Sequence, residues 1–236
     1  MLRCALFDLD NTLYPQSCGL MAEIGRRMNQ YMNERLGIPA DKVRAIRDSL
    51  LVTHGTTLNG LRRHHEVDPD DFLSFVHDIP LEGFINCDES LDQMLTALPL
   101  RKIVFTNADA RHARRVLSRL GIIRHFEAII DIHLVEFCGK PDPRAYHTVL
   151  EFVGVRPEEC VLLEDYPANI QTARAMGITT VLVADDGKAG GNDAVADYVI
   201  NRVVELADLP GIKERLITPA SYDSGISSDD HFGSVA

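Results

Sequence analysis

Short apolar runs and amphipathic stretches take turns along most of this chain. Cys4-Ala5-Leu6-Phe7 is a first apolar run, read as a strand, and polar turn formers follow it. Between residues 16 and 85 the pattern is helical only. Met21, Ile24, Met28, Met32 and Leu36 recur at helical spacing, with Arg26, Arg27, Asn29 and Glu34 on other faces and Gly37 placed to end the helix. Further helices are predicted over 41–52, 57–65 and 70–77. From there strands and helices alternate: helices over 91–98, 111–120, 143–153 and 169–176, and strands over 102–105, 128–130, 160–163, 180–183 and 198–200. Near-continuous apolar strands interleaved with amphipathic helices predict an α/β fold, a doubly wound parallel sheet. The expected organisation is an α/β core over 1–15 and 86–217 and an inserted helical unit over 16–85. A Ser-, Gly- and Asp-rich tail over 218–236, without Lys or Arg, is expected to be disordered.

Composition narrows the function classes. With 236 residues, 45% of them hydrophobic, the chain can bury a full core without disulfides. A formal net charge of -11 argues against nucleic acid or an anionic membrane surface as a general partner. Five scattered cysteines without paired spacing fit reduced thiols, and Met1-Leu2-Arg3 runs straight into the first strand without room for a signal peptide. A cytoplasmic protein is expected, with a small molecule as its partner.

The polar exceptions fall in one kind of place. Asp8 and Asp10, Thr106 and Asn107, and Glu164 and Asp165 each follow directly on an apolar strand. In a parallel sheet the carboxyl ends of the strands share one edge, where ligands bind, so these groups are expected to converge. Two like charges about 4 Å apart repel by roughly 4 kcal/mol at an effective dielectric near 20, a burden that a bound cation relieves. Carboxylate and carbonyl oxygens without His or thiolate select a hard ion, and an octahedral oxygen site suits magnesium. Lys140, in Gly139-Lys140-Pro141, supplies a lone cation from a loop.

The motifs FDLDNTLY (from Phe7), FTNA (from Phe105), GKPDP (from Gly139) and LLEDYPANI (from Leu162) resemble, in order, those of the haloacid dehalogenase (HAD) superfamily, mostly phosphohydrolases. The resemblance implies a Rossmann-like core with a helical cap closing over the site. It implies Asp8 as nucleophile, forming an aspartyl-phosphate, and Asp10 as general acid and then base. Asp8 is expected to stay ionised and Asp10 to carry a proton. Thr106, the backbone of Asn107 and Lys140 would hold phosphate. Asp8, Asp10 through its carbonyl, Glu164 and Asp165 would bind Mg2+; the family often has Asp-Asp where this chain has Glu164-Asp165. An acid two residues after the nucleophile favours phosphate transfer over dehalogenation, because halide leaves without a proton.

DLDNTLYP, Gly55 to Leu61, FTNADARHARRVLSRLGI and EDYPANIQTARAMGI are most similar to the pyrimidine 5′-nucleotidase-like branch. That resemblance implies hydrolysis of a nucleoside 5′-monophosphate or a similar small phosphomonoester. Two other readings share these motifs: a β-phosphoglucomutase-like phosphosugar mutase and a non-catalytic regulatory protein on the same fold. Arg62-Arg63-His64-His65 is a candidate for meeting the leaving group, against a plain solvated helix face. His133 and His147 are expected to be structural, and Cys138 a packed free thiol.

Overall fold

The computed structural model describes residues 1–184 and 195–216; the expected tail over 218–236 lies outside the described residues. The expected strands are present: β1 (Cys4–Phe7), β2 (Arg101–Phe105), β3 (Ala128–Ile130), β4 (Cys160–Glu164), β5 (Thr179–Val183) and β6 (Tyr198–Ile200). They form one sheet of six in the order β3-β2-β1-β4-β5-β6, every neighbouring pair parallel. Chain order reverses at β1, which lies between β2 and β4. That is the switch point where an open parallel sheet forms a ligand crevice.

Period-two alternation in the strands divides the core between the two faces. Cys4, Leu6, Ile103, Phe105, Cys160 and Leu162 pack on one face, with Ala145, Tyr146 and Val149 of a helix. Ala5, Phe7, Val104, Val161, Leu163 and Val181 pack on the other. Between β1 and β2 come α1 (Leu20–Glu34), α2 (Ala40–His54), α3 (Thr57–His65), α4 (Pro69–His77) and α5 (Glu89–Ala97). The apolar residues of α1 to α4 join the two sheet-face clusters rather than forming one of their own. Close packing of α2 on α3 depends on Gly60, where a Cβ would lie 2.7 Å from Leu50 Cβ.

The later helices α6 (Ala110–Leu120), α7 (Pro143–Val153), α8 (Pro167–Ala175) and α9 (Pro210–Lys213) begin at local signals in the sequence. Asp109 caps α6 by accepting from the His112 N–H, and Gly121 ends it in the left-handed conformation that favours glycine. Asp142 caps α7 ahead of Pro143. Val116, Leu117 and Leu120 of α6 are buried, at about 1.5–3 kcal/mol each. They fix the helix whose first turn faces the site. The short α9 and the 3-10 turn over Val203–Asp208 have no counterpart in the periodic pattern, being too short for one.

Candidate active site

The carboxyl ends of β1, β2 and β4 bring the expected groups to one cleft of about 480 Å3. Asp8, Asp10, Thr106, Asn107, Lys140, Glu164 and Asp165 all line it. The sheet ladder continues one bond past the strands: Asp8 N–H donates to Leu163 O at 3.0 Å and Thr106 N–H to Ile130 O at 3.0 Å. The first residue after β1 and after β2 is therefore held as rigidly as the strand itself.

Lys140 reaches the cleft from the loop before α7. Its backbone is held by Asn107, whose amide oxygen accepts from Lys140 N–H at 2.8 Å and whose amide nitrogen donates to Lys140 O at 2.8 Å. Gly139 permits this approach, because a Cβ there would lie 2.5 Å from Asn107 Oδ1. The Asn107 side chain is thus a loop anchor. Lys140 Nζ donates to Asp8 Oδ1 and to Glu164 Oε2, both at 2.7 Å.

Asp8 Oδ2 also accepts from the Thr12 hydroxyl at 3.0 Å. Glu164 Oε1 accepts the N–H groups of Asp165 and Tyr166, both at 3.1 Å, so every oxygen of Glu164 is already engaged. Asp165 Oδ2 accepts from the Asn11 amide at 3.3 Å. Oxygens of Asp8, Glu164 and Asp165 lie within 4.8 Å of one another. Burial and then the charge of Glu164 push the Asp8 carboxyl up to about 7 despite Lys140. Burial, Asp8 and Glu164 push Asp165 up to about 9. Burial works against the Lys140 ammonium, but Asp8 and Glu164 hold it well above the usual lysine range.

These residues fit a hard divalent cation. The donors are all carboxylate oxygens, and the raised pKa values of Asp8 and Asp165 express positive charge in short supply. Two amide oxygens, of Asn11 and Asn169, are buried without a protein partner, and both residues border the same cleft.

Asp10 is differently placed. Its Oδ1 accepts from the Tyr14 hydroxyl at 2.6 Å and lies 3.2 Å from His112 Nε2. Burial works against its charge, but His112 and Tyr14 outweigh burial and hold it below the usual carboxylate range. The protein's own groups therefore bias the two acids opposite to the sequence expectation, with Asp8 raised and Asp10 lowered. The reason is local: Asp8 sits among acids, Asp10 among donors.

Sequence reading missed Asn11, Thr12, Tyr14, His77 and His112. Thr12 and Tyr14 each stand four residues after the acid they serve, a spacing that local side-chain bonds use. His112 carried a weaker signal, the first turn of the helix that follows the Thr106-Asn107 strand end. None of Arg62, Arg63, His64 and His65 lines the cleft. Arg62 lies over the Phe137 ring at 4.1 Å, and His64 Nε2 meets His54 Nε2 at 2.9 Å. Cys138, like the other four cysteines, is a free thiol.

The family of haloacid dehalogenase-like hydrolases matches residues 2–177, from before β1 to just past α8. The chain belongs to this family. Among similar family members, "Phosphate metabolism protein 8" of Saccharomyces cerevisiae is 27% identical over 191 residues, covering 75% of this chain and 60% of that protein. "Glyceraldehyde 3-phosphate phosphatase" of Methanopyrus kandleri is 27% identical over 231 residues, covering 89% of this chain and 97% of that one. Among solved structures, a HAD phosphatase from Thermococcus onnurineus superposes with a TM-score of 0.60 at 20% identity, over 89% of this chain and 98% of that one. That likeness is one of fold.

Proposed function

We propose that this HAD-family protein is a magnesium-dependent phosphomonoesterase. It works through an aspartyl-phosphate on Asp8, and nucleoside 5′-monophosphates are its first substrate class. The observation that carries this reading is the pairing at the end of β1. Asp8 is bonded to a buried lysine at 2.7 Å, and Asp10, on the same cleft, is a second carboxyl held apart by its own donors.

Asp8 attacks phosphorus, forming the acyl-phosphate bond as the bond to the ester oxygen breaks. Asp10 gives its proton to the departing alkoxide, then takes one from the water that attacks phosphorus and frees Asp8. A substrate dianion arriving beside Asp10 raises its proton affinity, which favours the protonated acid the first step needs. Thr106, the N–H of Asn107 and Lys140 hold the phosphoryl oxygens. Asp8, the Asp10 carbonyl, Glu164 and Asp165 would hold magnesium, which would supply positive charge that lets an anionic nucleophile meet an anionic phosphate.

The insert over 16–85 serves as a cap. Met21, Met28, Leu51 and Phe72 give the cleft an apolar wall suited to a base or sugar face, and Arg47 and Asp48 add polar edges. A panel of nucleoside and sugar phosphates, with magnesium and with chelator, tests the reading by release of inorganic phosphate. Magnesium-dependent release is expected, fastest from a nucleoside monophosphate. Isomerised sugar phosphate without phosphate release points to the mutase instead, and no turnover of any member sinks the reading.

A further inference from the structure

Behind Asp10 lies a buried group to which the sequence motifs assign no role. Its Oδ1 meets the Tyr14 hydroxyl at 2.6 Å and His112 Nε2 at 3.2 Å. Tyr14 is 2% and His112 1% exposed, so solvent competes for neither bond. The His112 ring stacks on His77 of α4, with centroids 4.1 Å apart and 17° between planes. His77 Nδ1 lies 2.5 Å from Asp109 Oδ2, and Arg115 donates to the His77 carbonyl at 2.7 Å. The plane of His112 is thus fixed from the helical insert while its Nε2 is aimed at the acid.

The tautomer follows from the other nitrogen. His112 Nδ1 is buried without a partner. A hydrogen there would be an orphaned donor, and an unsatisfied buried group costs about 1–3 kcal/mol. Buried N–H groups without partners are also rarer than bare acceptors. The hydrogen therefore belongs on Nε2, which makes His112 a donor to Asp10. Two donors then converge on Oδ1, and the acid's own proton is confined to Oδ2.

We propose that His112 and Tyr14 are positioning residues. They fix the rotation of the Asp10 carboxyl and assign its transferable proton to Oδ2. The inference rests on the phosphomonoesterase reading and deepens it. A lost clamp impairs proton donation to the leaving group and leaves phosphate binding and the attack by Asp8 untouched. Esters that need a proton to leave are hit; those that do not are spared.

The experiment compares kcat/KM for an alkyl phosphomonoester and for 4-nitrophenyl phosphate, whose phenolate leaves unprotonated. This constant covers only the steps through the first P–O cleavage, so the later hydrolysis shared by both substrates does not enter. Taken as a ratio within one preparation, it is independent of the folded fraction. His112→Leu is expected to lower the alkyl ester's kcat/KM by about 30-fold or more, and that of 4-nitrophenyl phosphate by no more than about threefold. His112→Gln, which keeps an N–H, recovers much of the ratio, and Tyr14→Phe shifts it in the same direction as His112→Leu. Parallel losses on both substrates, or no loss, in an active protein overturn this inference alone. A wild-type protein inactive on both overturns the phosphomonoesterase reading and this inference with it.

Discussion

Asp8 and Asp10 stand two residues apart on one turn of chain, and their neighbourhoods are opposites. Around Asp8 the oxygens of Asp8, Glu164 and Asp165 converge, with the ammonium of Lys140 between Asp8 and Glu164. Around Asp10 a phenol and an imidazole converge on one oxygen. The first neighbourhood is short of positive charge and the second is rich in donors, so one residue type is raised in one place and lowered in the other. Environment, not residue type, divides the work between two carboxylates.

The largest effect should come from removing one charge of the first neighbourhood. Asp8→Asn removes the proposed nucleophile, and phosphate release is expected to fall by at least about 10³-fold. The same change relieves repulsion with Glu164 and Asp165, so with chelator present the thermal midpoint should stay level or rise. Turnover at an unchanged rate excludes Asp8 as nucleophile. A marked fall in the chelated midpoint would break the picture of a strained acidic cluster.

Lys140→Met acts in the opposite direction on stability. It leaves Asp8 and Glu164 buried without their shared ammonium, and breaking a buried pair costs about 3–5 kcal/mol. Urea unfolding measures this. A loss under about 1 kcal/mol would mean that the triad behaves like a surface pair. Activity falls as well, since Lys140 also holds phosphate in the proposed reaction.

What the sequence carried and what it hid divide along the same line. The residues of the acidic cluster each follow a buried strand, and parallel pairing of β1 with β2 and β4 forces strand ends together, so their meeting was legible. Asn107 was legible as a residue, but the pinning of Lys140 by its side chain was not, since that depends on how a loop folds back. His77 and His112 were invisible as a pair, because the stack joins two helices separated in sequence by β2 and α5. Nothing in helical periodicity marks which polar residue of a first turn points inward. The bounds of α3 and α7 matched their expected ranges, since caps at Thr56 and Asp142 are local signals. Partners that lie four residues from their acids were available locally and passed over.

The acidic cluster also predicts a pH dependence. Burial and neighbouring acids push folded Asp8 up to about 7 and Asp165 up to about 9, above the ~4 of an unfolded carboxyl. The folded chain therefore holds more protons than the unfolded chain across that interval. Their contribution to stability is full below about pH 4 and is lost as pH rises through 7 and on to 9. Asp10 and Asp109, held below the usual range, act only at the acid end. Thermal unfolding in chelator should show a midpoint falling from about pH 5 to about pH 9, and magnesium should flatten the curve. A chelated midpoint that climbs across this range breaks the charge account of Asp8.

The smallest effect makes the sharpest test, because one hydroxyl serves each acid. Thr12 donates to Asp8 Oδ2 at 3.0 Å and Tyr14 to Asp10 Oδ1 at 2.6 Å. Thr12→Val and Tyr14→Phe each delete a single donor and keep most of the side chain's volume. Each bond is worth about 0.5–1.5 kcal/mol, or several-fold in rate. The patterns should differ where the sizes do not. In the proposed reaction Asp8 attacks every ester, so Thr12→Val lowers kcat/KM alike for alkyl and 4-nitrophenyl phosphates. Up to the first P–O cleavage, which kcat/KM covers, the proposed role of Asp10 is confined to the leaving group that needs a proton, so Tyr14→Phe lowers the alkyl ester alone. Equal patterns in the two variants would mean that the two acids are not separately tuned, and the contrast between their neighbourhoods would have no consequence for the chemistry.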